Sequence, residues 1–410
     1  MEPAQEVTPG LIDALSFKQN KNSAAYITSS RQASFYAPGD RFSAATSRVI
    51  RINISGSGYL DMSSLCLAAT ATNETPAPNP VAPTPLVPLT ETTANLFSRL
   101  TVTVGGAVCE DISQYNRLSQ LLSMFESGSK RANNRVLGWG ADPIARDASK
   151  EILHVPASGL ATCGKWLPLD FCQGGLTLTF EMAPVGEAWD TTGTNGTNCV
   201  LSNVRMLGTV AQLDSQLHSA YASFILNESG RLQIPYRTWT SQITALPESP
   251  SWSVTVSRSF KRLNTILLTM FRAVENTGKL TNRFTAPGTP NACEGWVSIG
   301  AQRWPDAPQR GASEQFMRLC GAVGTLQSSV HALDINAEQY SGAGDPRYCM
   351  AFDVEKCPQA AGTGVDVSSG AICTVFANNV ANADYPTHAQ VCCYHDAILS
   401  LSDGGAQVHE

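Results

Sequence analysis

The sequence predicts an all-β protein made of two tandem eight-stranded antiparallel jelly rolls, with short helices in the connecting loops. Three observations carry this reading. Short strand-like runs separated by turn residues fill the chain from about residue 31. The two halves repeat the same order of runs, and 410 residues suit two domains far better than one. In the first half Ser34-Phe35-Tyr36 precedes Val49-Ile50-Arg51-Ile52-Asn53-Ile54 and then Leu65-Cys66-Leu67-Ala68-Ala69. In the second, Leu232-Gln233-Ile234 precedes Trp252-Ser253-Val254-Thr255-Val256 and then Ile266-Leu267-Leu268-Thr269-Met270-Phe271. Each half also closes on a similar run, Val200 to Leu207 and Val391 to Leu399.

Taken in chain order, residues 1–30 read as an N-terminal arm, in which Leu11, Ile12, Ala14 and Leu15 form one apolar stripe at helical spacing. The first jelly roll is expected over 31–213, a connecting helix and linker over 214–230, and the second jelly roll over 231–410. Gly39-Asp40, Gly56-Ser57-Gly58 and the proline-rich stretch from Pro76 to Pro88 interrupt the first set of strands. Proline lacks the N–H that a ladder needs, so that stretch is expected as an exposed loop or edge excursion.

Next, Leu100, Val102 and Val104 share one face of a period-two run, and Gly105-Gly106 turns the chain back through Val108 as a hairpin. Asp111 then leads Ile112, Tyr115, Leu118, Leu121, Leu122 and Phe125 at spacings of three and four, which predicts a helix with an acidic start. Trp166 to Phe171 and Leu176 to Phe180 read as two more strands. Residues 211–227, with Leu213, Leu217, Ala220, Tyr221 and Phe224, read as the connecting helix, stopped by Asn227-Glu228-Ser229-Gly230. In the second half Pro287, Pro290, Pro305 and Pro308 are expected to break any long element over 281–314, with later strands at Ala332–Ile335, Met350–Val354 and Ile372–Phe376.

Composition narrows the function. Only 15% of residues are charged while 43% are hydrophobic, so much of the surface is Ser, Thr, Asn, Gln, Gly and Ala, which suits broad contacts with other subunits. The formal charge is −6, and up to Arg31 the only cations are Lys18, Lys21 and that arginine. Affinity for nucleic acid comes from clustered cations that release counterions, so direct condensation of a genome and sequence-specific binding of nucleic acid are not expected. No stretch has the apolar length of a membrane-spanning helix. The opening Met1-Glu2-Pro3-Ala4 does not read as a secretory signal, so the twelve cysteines are expected as free thiols, with Cys66, Cys373 and Cys392 serving as small buried hydrophobes. By the same logic the sequons at Asn53, Asn73, Asn195 and Asn227 are expected to stay unmodified.

Local catalytic motifs are missing. The chain has no phosphate-binding G-x-x-x-x-G-K-[ST], no H-E-x-x-H and no G-x-S-x-G. Cys392-Cys393-Tyr394-His395 is the nearest thing to a metal cluster, but neighbours on a strand point to opposite faces, so Cys393 and His395 share a side without a third ligand. His154, His218, His331 and His388 have no companion at ligand spacing, and Glu110-Asp111 and Asp345-Pro346-Arg347 read as turn and cap residues. No catalytic, cofactor-binding or metal residues are assigned.

With these residues in view, Leu96 to Gly106, Glu110-Asp111-Ile112 and Tyr115-Asn116 resemble the first barrel of double jelly-roll major capsid proteins of double-stranded DNA viruses, especially the Polinton-like virus and virophage types. Leu232-Gln233-Ile234-Pro235-Tyr236, Val254-Thr255-Val256 with Arg258, and Arg262-Leu263 resemble the opening of the second barrel. The resemblance implies a viral structural protein without enzymatic activity. Three copies would form a pseudo-hexameric trimer that tiles an icosahedral shell, in contact with itself and with penton and minor capsid proteins. It would be made in the cytoplasm or nucleus of a host cell and reside in the virion capsid. Assembly candidates are Leu11, Ile12 and Leu15 of the arm, Pro76 and Pro88 of the loop at 70–90, and Pro287 and Trp304 of the loop at 281–314. An alternative is a glycan-binding or host-attachment β-sandwich in which Trp139, Trp189, Trp239 or Trp304 stacks on sugars. A third is a sandwich-fold glycosidase with carboxylates on separate strands.

Overall fold

A computed structural model of the chain describes residues 26–76, 84–90, 92–138, 143–191, 193–226, 230–272, 284, 287, 291–326, 333, 335–341, 347–356, 362–368, 370–380 and 385–410. The first half contributes β1 (Ile27–Tyr36), β2 (Val49–Ile54), β3 (Tyr59–Asn73), β4 (Phe97–Val104), β5 (Ala107–Ser113), β6 (Ser149–His154), β7 (Leu176–Met182) and β8 (Cys199–Leu213). The second contributes β9 (Leu232–Ala245), β10 (Trp252–Thr255), β11 (Leu263–Phe271), β12 (Glu294–Ile299), β13 (Gln302–Arg310), β14 (Met350–Asp353), β15 (Cys373–Asn378) and β16 (His388–Ser402), followed by β17 (Gly405–His409).

The sheet orders are β1-β8-β3-β6 with β2-β7-β4-β5, and β9-β16-β11-β14 with β10-β15-β12-β13. Both halves therefore use one connectivity, the first strand beside the last and the second beside the seventh. That is a jelly roll in each case.

Alternation builds the barrels. Along β2 exposure and burial alternate residue by residue, and Ile50, Ile52 and Ile54 are fully buried against Leu100, Val102, Val104, Leu176, Leu178 and Phe180 of the neighbouring strands. In contrast β11 is buried at all nine positions, because it is a central strand covered on both faces. At the β4–β5 hairpin Gly105 and Gly106 have φ of 55° and 85°, the positive pair that matches the twist of the flanking strands.

Strand polarity sorts the loops. Because neighbouring strands are antiparallel, the connections after the first, third, fifth and seventh strands of each barrel start and finish at one end, and these include the described parts of the long segments 74–96, 114–148 and 311–349. The opposite end holds the short turns 55–58, 105–106 and 300–301, the helix α2 (Ser215–Leu226) between the barrels, and the start of β1.

Several expectations change. Asp111 and Ile112 belong to β5, and the helix α1 runs from Tyr115 to Met124 with no acidic residue in its first turn. Gln114, in the left-handed region at φ 53°, ends the strand, and Asp111 pairs with Arg99 across the hairpin at 2.7 Å. Residues 211–213 continue β8, so the connecting helix begins only at Ser215, and β1 starts inside the expected arm at Ile27. Trp166–Pro168 is a strand, but Leu169–Phe171 is a 3-10 turn.

The stretch 281–314 is not broken throughout: β12 and β13 form a hairpin across it, and a helix follows at Gly311–Ala322. Pro305 and Pro308 sit inside β13, which is tolerated because β13 is the edge of its sheet and pairs only with β12. Leu333 and Ile335 are outside any strand, where one was expected over Ala332–Ile335.

Candidate assembly surfaces

The candidate functional feature is the seam where β5 of the first barrel meets β9 of the second. Its polar contacts are side chain to backbone, not ladder pairing. Tyr236 Oη on β9 donates to the Cys109 carbonyl at 2.7 Å in a buried position, and Ser113 Oγ donates to the Ser241 carbonyl at 2.6 Å. At the long-loop end, the buried Arg117 guanidinium of α1 lies 4.1 Å over the Phe271 ring, whose other neighbour is the stacked His388.

Packing here is close. Gly159, at the start of a helical turn reaching Thr162, approaches β9 so tightly that a Cβ on it would stand 1.7 Å from the Arg237 carbonyl oxygen.

Glu110 is the unexpected member. This β5 carboxylate is 1% exposed, and its Oε1 accepts from the Leu160 amide at 2.9 Å. The hydroxyls of Ser158 and Thr238 lie near enough to favour its charge, yet neither closes a hydrogen bond of ordinary geometry and Oε2 has no partner. Desolvation outweighs these donors and pushes the carboxyl up to about 7. Sequence reasoning took Glu110 for a turn or cap residue. Only its cross-strand partner Val102, a core position, shows that it points inward.

Beside the seam opens a cavity of about 460 Å³ bordered by Gly159, Arg237, Arg262, Tyr394 and Asp396. Arg237 and Asp396 pair within it at 2.9 Å, and Asp396 also accepts from the buried Asn264 amide.

Among the described residues, the outer sheet edge of each barrel, β1 in the first and β13 in the second, has no further strand beside it. β1 pairs only with β8, and most of its residues are exposed, including Ile27 and Tyr36. Among the described residues β13 likewise pairs only with β12, and Gln302, Asp306, Ala307 and Arg310 are exposed while Arg303, Trp304, Pro305 and Pro308 are half-buried.

The residues singled out from sequence scatter. Leu11, Ile12 and Leu15 lie outside the described residues, as does Trp139. Pro76 is exposed, but Pro88 is buried and pairs with Trp189, itself 2% exposed, in a small two-stranded sheet. Pro287 is buried too. Trp239 stacks on Tyr394 at 4.4 Å, and Trp304 is half-buried on β13. Among the tryptophans proposed to stack on sugars, Trp189 thus has no free face and Trp239 has one face occupied.

Among the described residues no three His, Cys, Asp or Glu side chains gather as a metal site, and no helix is long and apolar enough to cross a membrane. The cysteines described are free, and burial raises the thiols of Cys109, Cys172, Cys199, Cys373 and Cys392 to about 12.

Two jelly rolls of one connectivity joined edge to edge define the double jelly-roll fold. No family model matches the sequence, and no curated protein matches it. Solved structures do match the fold. They include PBCV-1 VP54 as fitted into a reconstruction of the virophage Sputnik, at 12% identity over 95% of this chain and 99% of that one, with a TM-score of 0.62. The Faustovirus major capsid protein matches at 10% identity over 96% and 95%, with a TM-score of 0.60. The mavirus major capsid protein matches at 9% identity over 98% and 96%, with a TM-score of 0.51.

Proposed function

We propose that this chain is a viral major capsid protein that assembles by repeating, between molecules, the seam it already contains. One observation carries the reading. The seam joins the β5 side of barrel one to the β9 side of barrel two, and among the described residues the same two kinds of sheet edge lack a strand partner on the outer sides of the barrels, as β13 and β1. A head-to-tail contact of this kind closes into a ring when its rotation divides a full turn, and otherwise runs on as a filament. Three copies closing a ring of six barrels give the pseudo-hexagonal trimer that tiles a shell.

Other features support the assignment. Exposed sheet edges are a hazard that burial by a neighbour removes. The chain is poor in charge, and its first thirty residues carry only Lys18 and Lys21 as cations, no basic arm for phosphates, which fits a shell whose genome is packaged by other components. On this reading the chain contacts penton and minor capsid proteins besides its own copies, and the protein acts as a building block of the virion without a catalytic step.

Light scattering during size-exclusion chromatography tests the reading. The expected particle has about three times the 43.7 kDa chain mass, with a hexagonal outline in negative stain. A monomer or two-fold dimer at micromolar concentration would overturn it.

A further inference from the structure

The cross-strand ladders let the two barrels be superposed rung by rung. In barrel one a rung runs Ile52, Leu178, Val102, Glu110. In barrel two the rung at the same distance from the hairpin turn runs Val254, Val375, Val297, Trp304. Trp304 therefore occupies in barrel two the position that Glu110 occupies in barrel one, and Glu110 is the residue the internal seam buries.

The same mapping works on the facing strand. Thr238, which meets Glu110, pairs with His395, the central residue of β16, whereas Phe35 pairs with Met206, the central residue of the equally long β8.

Around Trp304 the surface is unfinished. A cavity of about 220 Å³ is lined by Trp304, Pro305, Met317, Arg318, Leu326 and Phe352, between β13, β14 and the helix α3 (Gly311–Ala322). Met317 and Leu326 are 47% and 54% exposed at its rim. The indole N–H of Trp304 is buried without an acceptor. A buried donor left unmet is costly, and solvent cannot reach it.

We infer that this cavity is a docking site for a second copy of the chain, whose β1 segment Ala33–Tyr36 covers it and supplies a backbone carbonyl to the Trp304 indole. The inference rests on the ring reading above and names the contact that closes the ring. Among the described residues the outer edge of β1 offers main-chain acceptors with no strand beside them, and Tyr36, 66% exposed, adds an aromatic ring at the same level. The internal seam sets the precedent, since there too side chains of one barrel bond to main-chain carbonyls of the other.

The test combines light scattering with hydrogen exchange on the full chain and three variants, Trp304→Phe, Trp304→Ala and Leu326→Asp. Leu326→Asp changes an exposed side chain and leaves the fold alone. In the wild-type trimer the amides of residues 27–36 that do not bond to β8 are expected to be protected. Leu326→Asp and Trp304→Ala should weaken trimer formation at least tenfold and release that protection, and Trp304→Phe should weaken it several-fold, the loss of one hydrogen bond. If the wild type is a monomer in which the amides of residues 27–36 not bonded to β8 exchange freely, the ring reading itself fails. A wild-type trimer, with Leu326→Asp and Trp304→Ala equally trimeric and equally protected, would leave the ring standing and overturn the Trp304 contact.

Discussion

Glu110 shows how much one side chain can couple the barrels to pH. Its folded carboxyl sits at about 7 against 4.5 when unfolded, so between those values the folded chain holds a proton the unfolded chain has released. Stability from this group therefore falls as pH rises through that window, by about 3 kcal/mol in all. His154 and His395 act in the opposite sense. Burial lowers them from 6.5 to about 3 and about 4, so the unfolded chain binds protons the folded one refuses, and stability is lost as pH falls below 6.5. Glu110→Gln is expected to raise the denaturation midpoint at about pH 8 and to have little effect at about pH 4, measured by urea unfolding across pH. A variant less stable than wild type at the higher pH would show that the carboxylate is held charged.

Elements explain what the sequence disclosed and what it hid. The β4–β5 hairpin was legible because Gly105-Gly106 supplies the only backbone its tight turn accepts, and Gly106→Val is expected to cost about 1–2 kcal/mol at φ 85°, read as a lowered melting temperature. An unchanged melting temperature would mean the turn relaxes freely. The start of α1 was misread because Asp111 mimics an N-cap, whereas its real partner, Arg99, is set by a strand register that no local pattern reveals. Prolines hid β13, since their harmlessness on an edge depends on which strand is last in the sheet. The seam was invisible for the same reason. Gly159 looks like any loop glycine until β9 is placed against it. Gly159→Ala is expected to destabilise the chain by about 1–3 kcal/mol through forced separation of the barrels, measurable by urea unfolding. Stability equal to wild type would mean that the barrels separate at no cost there.

For the whole molecule, duplication is the organising fact. Two barrels of identical connectivity, joined along unlike edges, leave unlike edges without a strand partner on their outer sides among the described residues. The proposed assembly repeats such an object head to tail, with neighbours burying the β1 and β13 edges. The most direct measurement is a set of averaged particle images of the purified chain in cryo-electron microscopy, counting barrels about the symmetry axis. Six lobes around a three-fold axis, with β1 of one copy against β13 of the next, are the expected result. Particles with two lobes, or rings in which like edges meet, would contradict the account.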